Sequence, residues 1–171
     1  MKQYLLLICM FYGLWAQGQN RKGVRMVTVK GKVTQTADYC GGARPTDEML
    51  EKLNAPHPLA SKTIYIKIGA MNADKSKVYK KVVTDEEGRF TVKLPAGRVY
   101  SFVEEWKSGP YKKPQPQQFV EWDLACWRKK YLEPDFVLNL KTRKFPDVEI
   151  NYHQRCFYSP YCGQYSGPLP P

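Results

Sequence analysis

The sequence predicts an all-β sandwich or barrel. Short runs of β-branched and aromatic residues alternate with polar ones at period two. Turn signals rich in glycine, proline and acidic residues separate these runs at close spacing. Five cysteines and 13 prolines among 171 residues add a loop-rich, cross-linked character. Hydrophobic content of 43% and aromatic content of 13% exclude a long disordered chain. The length is that of about one domain, which argues against a large multi-domain enzyme.

The first segment reads as an address. Lys2 precedes the apolar run from Tyr4 to Trp15, and Ala16-Gln17-Gly18 places small residues at −3 and −1 of a cut before Gln19. A charged start, a short apolar core and a small-x-small exit make residues 1–18 a secretory signal peptide. The run is shorter than the ~20 apolar residues that a spanning helix needs, and no later segment is more apolar, so no transmembrane segment is expected after its removal. Cys9 follows Ile8 and lies too early for a lipoprotein acceptor. The expected location is secreted or periplasmic.

From there the elements follow in order. Val27, Val29 and Val33 alternate with Thr28, Lys30 and Lys32, a half-buried strand with its lysines in water. Cys40-Gly41-Gly42 breaks it. Thr46 is set to cap a short helix in which Asp47 and Glu48 meet the positive N-terminal end and Met49, Leu50 and Leu53 share a face. Pro56 and Pro58 end it. Residues 63–68 form the cleanest strand, with Ile64, Ile66 and Ile68 on one side. Further strands are expected at 78–84, 90–94 and 99–103, joined by turns at Asp85-Glu86-Glu87-Gly88 and Pro95-Ala96-Gly97.

Residues 104–134 change character. Pro110, Pro114, Pro116 and Pro134 mark an inserted loop. Within it Asp123 is placed to cap a helix running to about Leu132, with Leu124, Trp127 and Tyr131 on one side and Arg128, Lys129 and Lys130 near the C-terminal end. Residues 136–140 and 148–152 are two more strand candidates. The tail, 157–171, is rich in Tyr, Gly and Pro and is expected to be irregular, tied down only through Cys156 and Cys162. The organisation predicted is thus a signal peptide at 1–18, a domain at 19–156 with an insertion at 104–134, and the tail.

Loss of the signal peptide removes Cys9 and leaves Cys40, Cys126, Cys156 and Cys162. An even count in an exported chain reads as disulfides, and four cysteines allow three pairings. The competing reading is a metal site using His153 with Cys156 and Cys162. Its spacing lacks the paired Cys-x2–4-Cys or His-x3–5-His pattern of a structural zinc site, so no metal or other cofactor is expected.

Two stretches carry a family resemblance. Gly31-Lys32-Val33-Thr34 is similar to the opening G-x-V strand of carboxypeptidase-regulatory-like domains. Residues Thr84 to Gly97 resemble their T-D-x-x-G-x-F-x-h-x-L-P-x-G hairpin. The resemblance implies a transthyretin-like, seven-stranded β-sandwich with an accessory, non-catalytic role. The C-terminal third is similar to that of small exported bacterial proteins that carry this domain with no assigned activity. In sandwiches of this type the first and last strands are often neighbours, which favours Cys40–Cys156 with Cys126–Cys162. One departure is Tyr100, which follows Gly97 one residue later than the family pattern and implies a bulge or register shift there.

Catalysis finds little support. There is no Gly-x-Ser-x-Gly motif, and the only imidazoles are His57 and His153. The adjacent pair Glu104/Glu105 is a poor candidate for two opposed carboxylates, because neighbours on a strand point to opposite faces. No enzyme activity is expected. The net charge of +11 suggests an acidic partner, and export makes nucleic acid a poor one. Trp106, Lys112, Lys113, Trp122, Trp127, Arg128, Lys129, Lys130 and Tyr131 interleave aromatic and basic side chains, the pairing that stacks on sugar faces and holds anionic groups. The expected function is a structural or binding role at the cell envelope, toward a glycan or another envelope protein. The alternatives are a carbohydrate or anionic-glycan binder and an envelope metal-binding protein.

Overall fold

The structure, a computed structural model, describes residues 23–142 and 147–168; the signal-peptide reading of residues 1–18 lies outside them. Thirteen elements follow one another. They are β1 (Met26–Ala37), α1 (Asp47–Asn54), β2 (His57–Pro58), β3 (Thr63–Ile68), β4 (Val78–Val83), β5 (Arg89–Pro95), β6 (Val99–Val103), α2 (Glu105–Ser108), β7 (Val120–Trp122), α3 (Leu124–Leu132), β8 (Phe136–Asn139), β9 (Val148–Gln154) and β10 (Gly163–Tyr165).

Two four-stranded sheets hold most of the chain. In the first, β1 is central: β5 and the short β2 pair with it antiparallel on one side and β9 parallel on the other. The second runs β4-β3-β6-β8, antiparallel throughout. Period two decides what each sheet buries. Val29, Val33, Phe90, Val92, Leu94, Val148 and Ile150 from the first meet Ile64, Ile66, Tyr100, Phe102, Leu138 and Leu140 from the second in one core. Lys30 and Lys32 face solvent, as the alternation requires. Tyr100 enters the core completely and donates its hydroxyl to the Pro95 carbonyl at 2.8 Å.

The strands expected at all seven places are present, and the described residues hold ten strands rather than seven. The additions are β2, β7 and β10, each three residues or fewer and too short for alternation to show. The register correction is more specific. The ladder through β6 is continuous, from Val99↔Asn139 to Phe102↔Phe136, and does not slip at Tyr100. In the preceding turn Gly97 takes φ +79° and donates to the Leu140 carbonyl at 2.8 Å. The irregularity falls instead between Ile66 and Lys67, where β3 pairs β4.

Two further differences concern the insertion and the tail. β3 is buried on both faces over residues 64–67, because α2 and the inserted segment pack over the outer side of the second sheet. Ile68, expected to share the apolar face, is 41% exposed at the strand end. The tail is not irregular throughout. β10 pairs β7 antiparallel, and Ser166 donates to the Phe119 carbonyl at 2.8 Å.

Both disulfides follow from strand placement. β1 and β9 run parallel to Ala37↔Gln154, so Cys40 and Cys156 leave the sheet together and join with Cα atoms 5.4 Å apart. Cys126, in the first turn of α3, joins Cys162 just ahead of β10. Among the described residues no helix is long and apolar enough to cross a membrane.

Candidate functional site

Residues 104–134 form a layer over the second sheet that is fixed from below and from the side. Asp123 caps α3, accepting from the amides of Ala125 at 2.9 Å and Cys126 at 3.0 Å. The amide of Asp123 in turn donates to the Cys162 carbonyl at 2.8 Å. Trp127 and Tyr131, one turn apart on α3, therefore project together. Tyr131 is fully buried and donates to the Gly109 carbonyl at 2.9 Å. Burial raises its phenol pKa, with the charge of Asp74 adding to the effect.

The tryptophans converge. Trp106 of α2 stacks on Trp127 with ring centroids 4.7 Å apart and planes 28° from parallel. Trp122 of β7 meets Trp127 edge-on at 5.4 Å. The Trp127 indole donates to the Lys112 carbonyl at 3.0 Å, and the Trp106 indole to Glu104 Oε1 at 2.6 Å. These bonds hold the rings in fixed orientation. The three tryptophans, with Lys112, Lys113 and Glu105, line a cleft of about 670 Å³ whose remaining wall is the proline-rich loop. Two ammonium groups against one carboxylate leave this cleft cationic. Its lining combines an aromatic wall with a few polar side chains.

The remaining predicted residues divide. Arg128 is committed: it pairs with Asp74 at 2.5 Å and lies over the Tyr111 ring at 4.5 Å. The hydrogen bond between them raises the Arg128 pKa and lowers that of Asp74. Lys129 is exposed on α3. Lys130 pairs with Glu133 at 3.2 Å and lines a second cleft of about 520 Å³, which Trp106 and Trp127 also line. Tyr131 is a buried strut, so its place among ligand-facing residues is corrected; a tyrosine at helical spacing from Trp127 packs inward here.

The sequence reading missed the polar network beneath this layer. Lys67 points from β3 into the packed side of the insertion and is fully buried. Its ammonium donates to Asn72 Oδ1 at 2.6 Å and to the Lys107 carbonyl at 3.0 Å. Lys107 reaches Asp135 at 2.6 Å, and Asp135 also accepts from the Glu104 amide at 2.8 Å and the Tyr152 hydroxyl at 3.2 Å. Burial, then the carboxylates of Asp135 and Glu104, push the Tyr152 phenol far above its ordinary range. The network holds α2, and hence Trp106, against the sheet.

The histidines are apart and occupied. His57 Nε2 bonds the Lys52 carbonyl at 2.8 Å. His153 lies between Thr36 Oγ1 at 2.9 Å and Asp38 Oδ1 at 2.7 Å, a cross-strand link between β1 and β9. Cys156 and Cys162 are both bonded to other cysteines and offer no thiolate beside His153. Among the described residues no three metal-ligating side chains gather. Compared with models of protein families and with curated proteins, the chain matches none.

Proposed function

We propose that this chain is an exported, non-catalytic binding module on a transthyretin-like sandwich of the carboxypeptidase-regulatory-like kind, and that it holds a carbohydrate bearing anionic groups at the cell envelope. One observation carries the reading. Trp106, Trp122 and Trp127, from three separate elements, meet at one cleft that also receives Lys112 and Lys113. Indole faces suit the apolar faces of sugar rings, and the two ammonium groups suit a carboxylate or sulfate on the same chain. The two disulfides fit an oxidising compartment, which supports export and turns the positive charge toward envelope material.

The test is retention of the mature protein on immobilised hyaluronan and pectate, with neutral dextran as control. Binding to the anionic polymers should weaken with salt, since exposed charge pairs are screened. Replacing Lys112 and Lys113 by Glu should weaken it at least about tenfold, equivalent to roughly 1.4 kcal/mol. Equal retention of this variant and the native protein removes the cleft as the binding site.

A further inference from the structure

The second cleft differs chemically from the first while sharing two of its walls. Trp106 and Trp127 line both. Here they face Asn151 and Tyr152 of β9 and Lys130 and Glu133 at the end of α3. The charges are matched within the structure. Lys130 holds Glu133 at 3.2 Å, Lys107 holds Asp135 at 2.6 Å, and Glu104 holds Lys62 at 3.4 Å. The cleft itself contains three carboxylates, Glu104, Glu133 and Asp135, against the ammonium groups of Lys107 and Lys130. With Glu104 taken by Lys62, both ammonium groups of this cleft are already paired and neither is left for an anionic group, whereas no salt bridge engages Lys112 or Lys113 of the first cleft among the described residues. Neutral hydrogen bonding is available. Asn151 Oδ1 accepts from Thr34 at 3.3 Å, while its amide nitrogen has no partner among the described residues. Glu133 uses one oxygen for Lys130 and keeps the other.

We propose that the two clefts are successive subsites for one linear glycan that crosses the Trp106–Trp127 pair. Its anionic unit lies beside Lys112 and Lys113, and a neutral, hydroxyl-bearing unit lies beside Asn151 and Glu133. The inference rests on the carbohydrate reading above. The class of ligand it names is a chain alternating uronate and neutral sugars. A polymer of uronate alone sets a carboxylate in a cleft whose ammonium groups are already paired. Occupying the second subsite from a chain already held at the first is an intramolecular step, so affinity rises sharply once the chain is long enough to reach both.

Calorimetric titration with hyaluronan oligosaccharides from disaccharide to octasaccharide tests this, with oligogalacturonate of matching length alongside. The octasaccharide should bind at least about tenfold tighter than the disaccharide, and tighter than the galacturonate octamer. A variant carrying Asn151→Ala and Glu133→Gln, both exposed side chains, should bring the octasaccharide down to the disaccharide's affinity and leave the disaccharide unchanged. Thermal melting of the variant confirms that it folds. If the disaccharide binds and lengthening it changes nothing, or the double variant binds the octasaccharide as the native protein does, the two-subsite inference falls and the first cleft stands. If no oligosaccharide binds at any length, the carbohydrate reading itself fails and takes the inference with it.

Discussion

Lys67 Nζ lies 2.6 Å from Asn72 Oδ1, and both side chains are completely shielded from water. No ion pair joins this lysine to a carboxylate among the described residues; carbonyl oxygens alone hold the ammonium. Asn72 completes the arrangement by donating to the carbonyls of Lys107 at 3.0 Å and Tyr131 at 2.8 Å. One amide thus joins β3, α2 and α3 under the tryptophan layer. Asn72→Ala leaves a buried cation with one acceptor and a buried carbonyl with no side-chain donor. We expect a loss of about 3 kcal/mol or more in urea unfolding. A loss under about 1 kcal/mol would show that the network does not hold the layer.

The same lysine sets a pH dependence. Burial disfavours its ammonium and lowers its pKa, and the charge of Asp74 opposes this only in part. Between the lowered folded value and the ordinary lysine value of roughly 10.4, the unfolded chain binds more protons than the folded one. Stability from this group therefore rises with pH through that window, and the burial penalty is complete below it. Lys67→Met removes the titration and keeps an unbranched side chain one atom shorter. Urea midpoints for the two proteins, measured from neutral pH to pH 10.5, should show the native protein gaining on the variant as pH rises. Parallel curves would refute this origin.

The contrast between Lys67 and the strands shows what one sequence can disclose. Alternation is local, so β1, β3, β5 and β9 are legible from their valines and isoleucines, and the caps at Thr46 and Asp123 from the residues that follow them. Period two also puts Lys67 on the outer face of β3, where a half-buried strand meets water. It is buried because residues 105–135, far along the chain, fold over that face. No local pattern carries such a fact. The tryptophan cluster is intermediate. Its composition is visible, but that Arg128 would be held by Asp74 and Tyr131 drawn inward depends on the 72–74 loop arriving beneath α3. β7 and β10 leave no such pattern, because three residues are too few to alternate.

The disulfides should contribute unequally. Cys40–Cys156 closes a separation of 116 residues and Cys126–Cys162 one of 36. On chain entropy alone their removal costs roughly 5 and about 4 kcal/mol. The shorter one, however, fixes β10 and the first turn of α3 beside Trp122. Replacing Cys126 and Cys162 by Ser should therefore loosen the cleft as well as destabilise the chain, read as faster tryptophan quenching by acrylamide below the unfolding transition. Quenching identical to the native protein would disconnect this bond from the cleft.

Two glycines with positive φ separate strain from collision. Gly88 sits at φ +72° and Gly97 at φ +79°. A Cβ on Gly97 meets nothing within 4 Å, so Gly97→Ala should cost only the left-handed penalty of about 1–2 kcal/mol. A Cβ on Gly88 would come 2.3 Å from the Val33 carbonyl oxygen, which is backbone of the central strand and not the end of a flexible side chain. Gly88→Ala should lower stability well beyond Gly97→Ala, measured by urea denaturation of the pair. Equal losses would mean that β1 can shift.

Ser101 faces the same buried layer as Lys67, its register partner on β3, and its hydroxyl has no hydrogen-bond partner among the described residues. Desolvating an unpaired hydroxyl is unfavourable, and alanine differs from serine there by that one atom. The void left is smaller than a methyl group, so its cost is small beside the relief. Ser101→Ala should therefore raise stability by about 1 kcal/mol, a change in the opposite direction to most buried substitutions. The Lys67 ammonium, on the same buried face, supplies the sharpest check. If Lys67 turned its third proton to Ser101 Oγ in solution, the same substitution would destabilise the fold and would flatten its pH dependence as Lys67→Met does. A urea midpoint that rises with the pH slope intact is the outcome the packing requires.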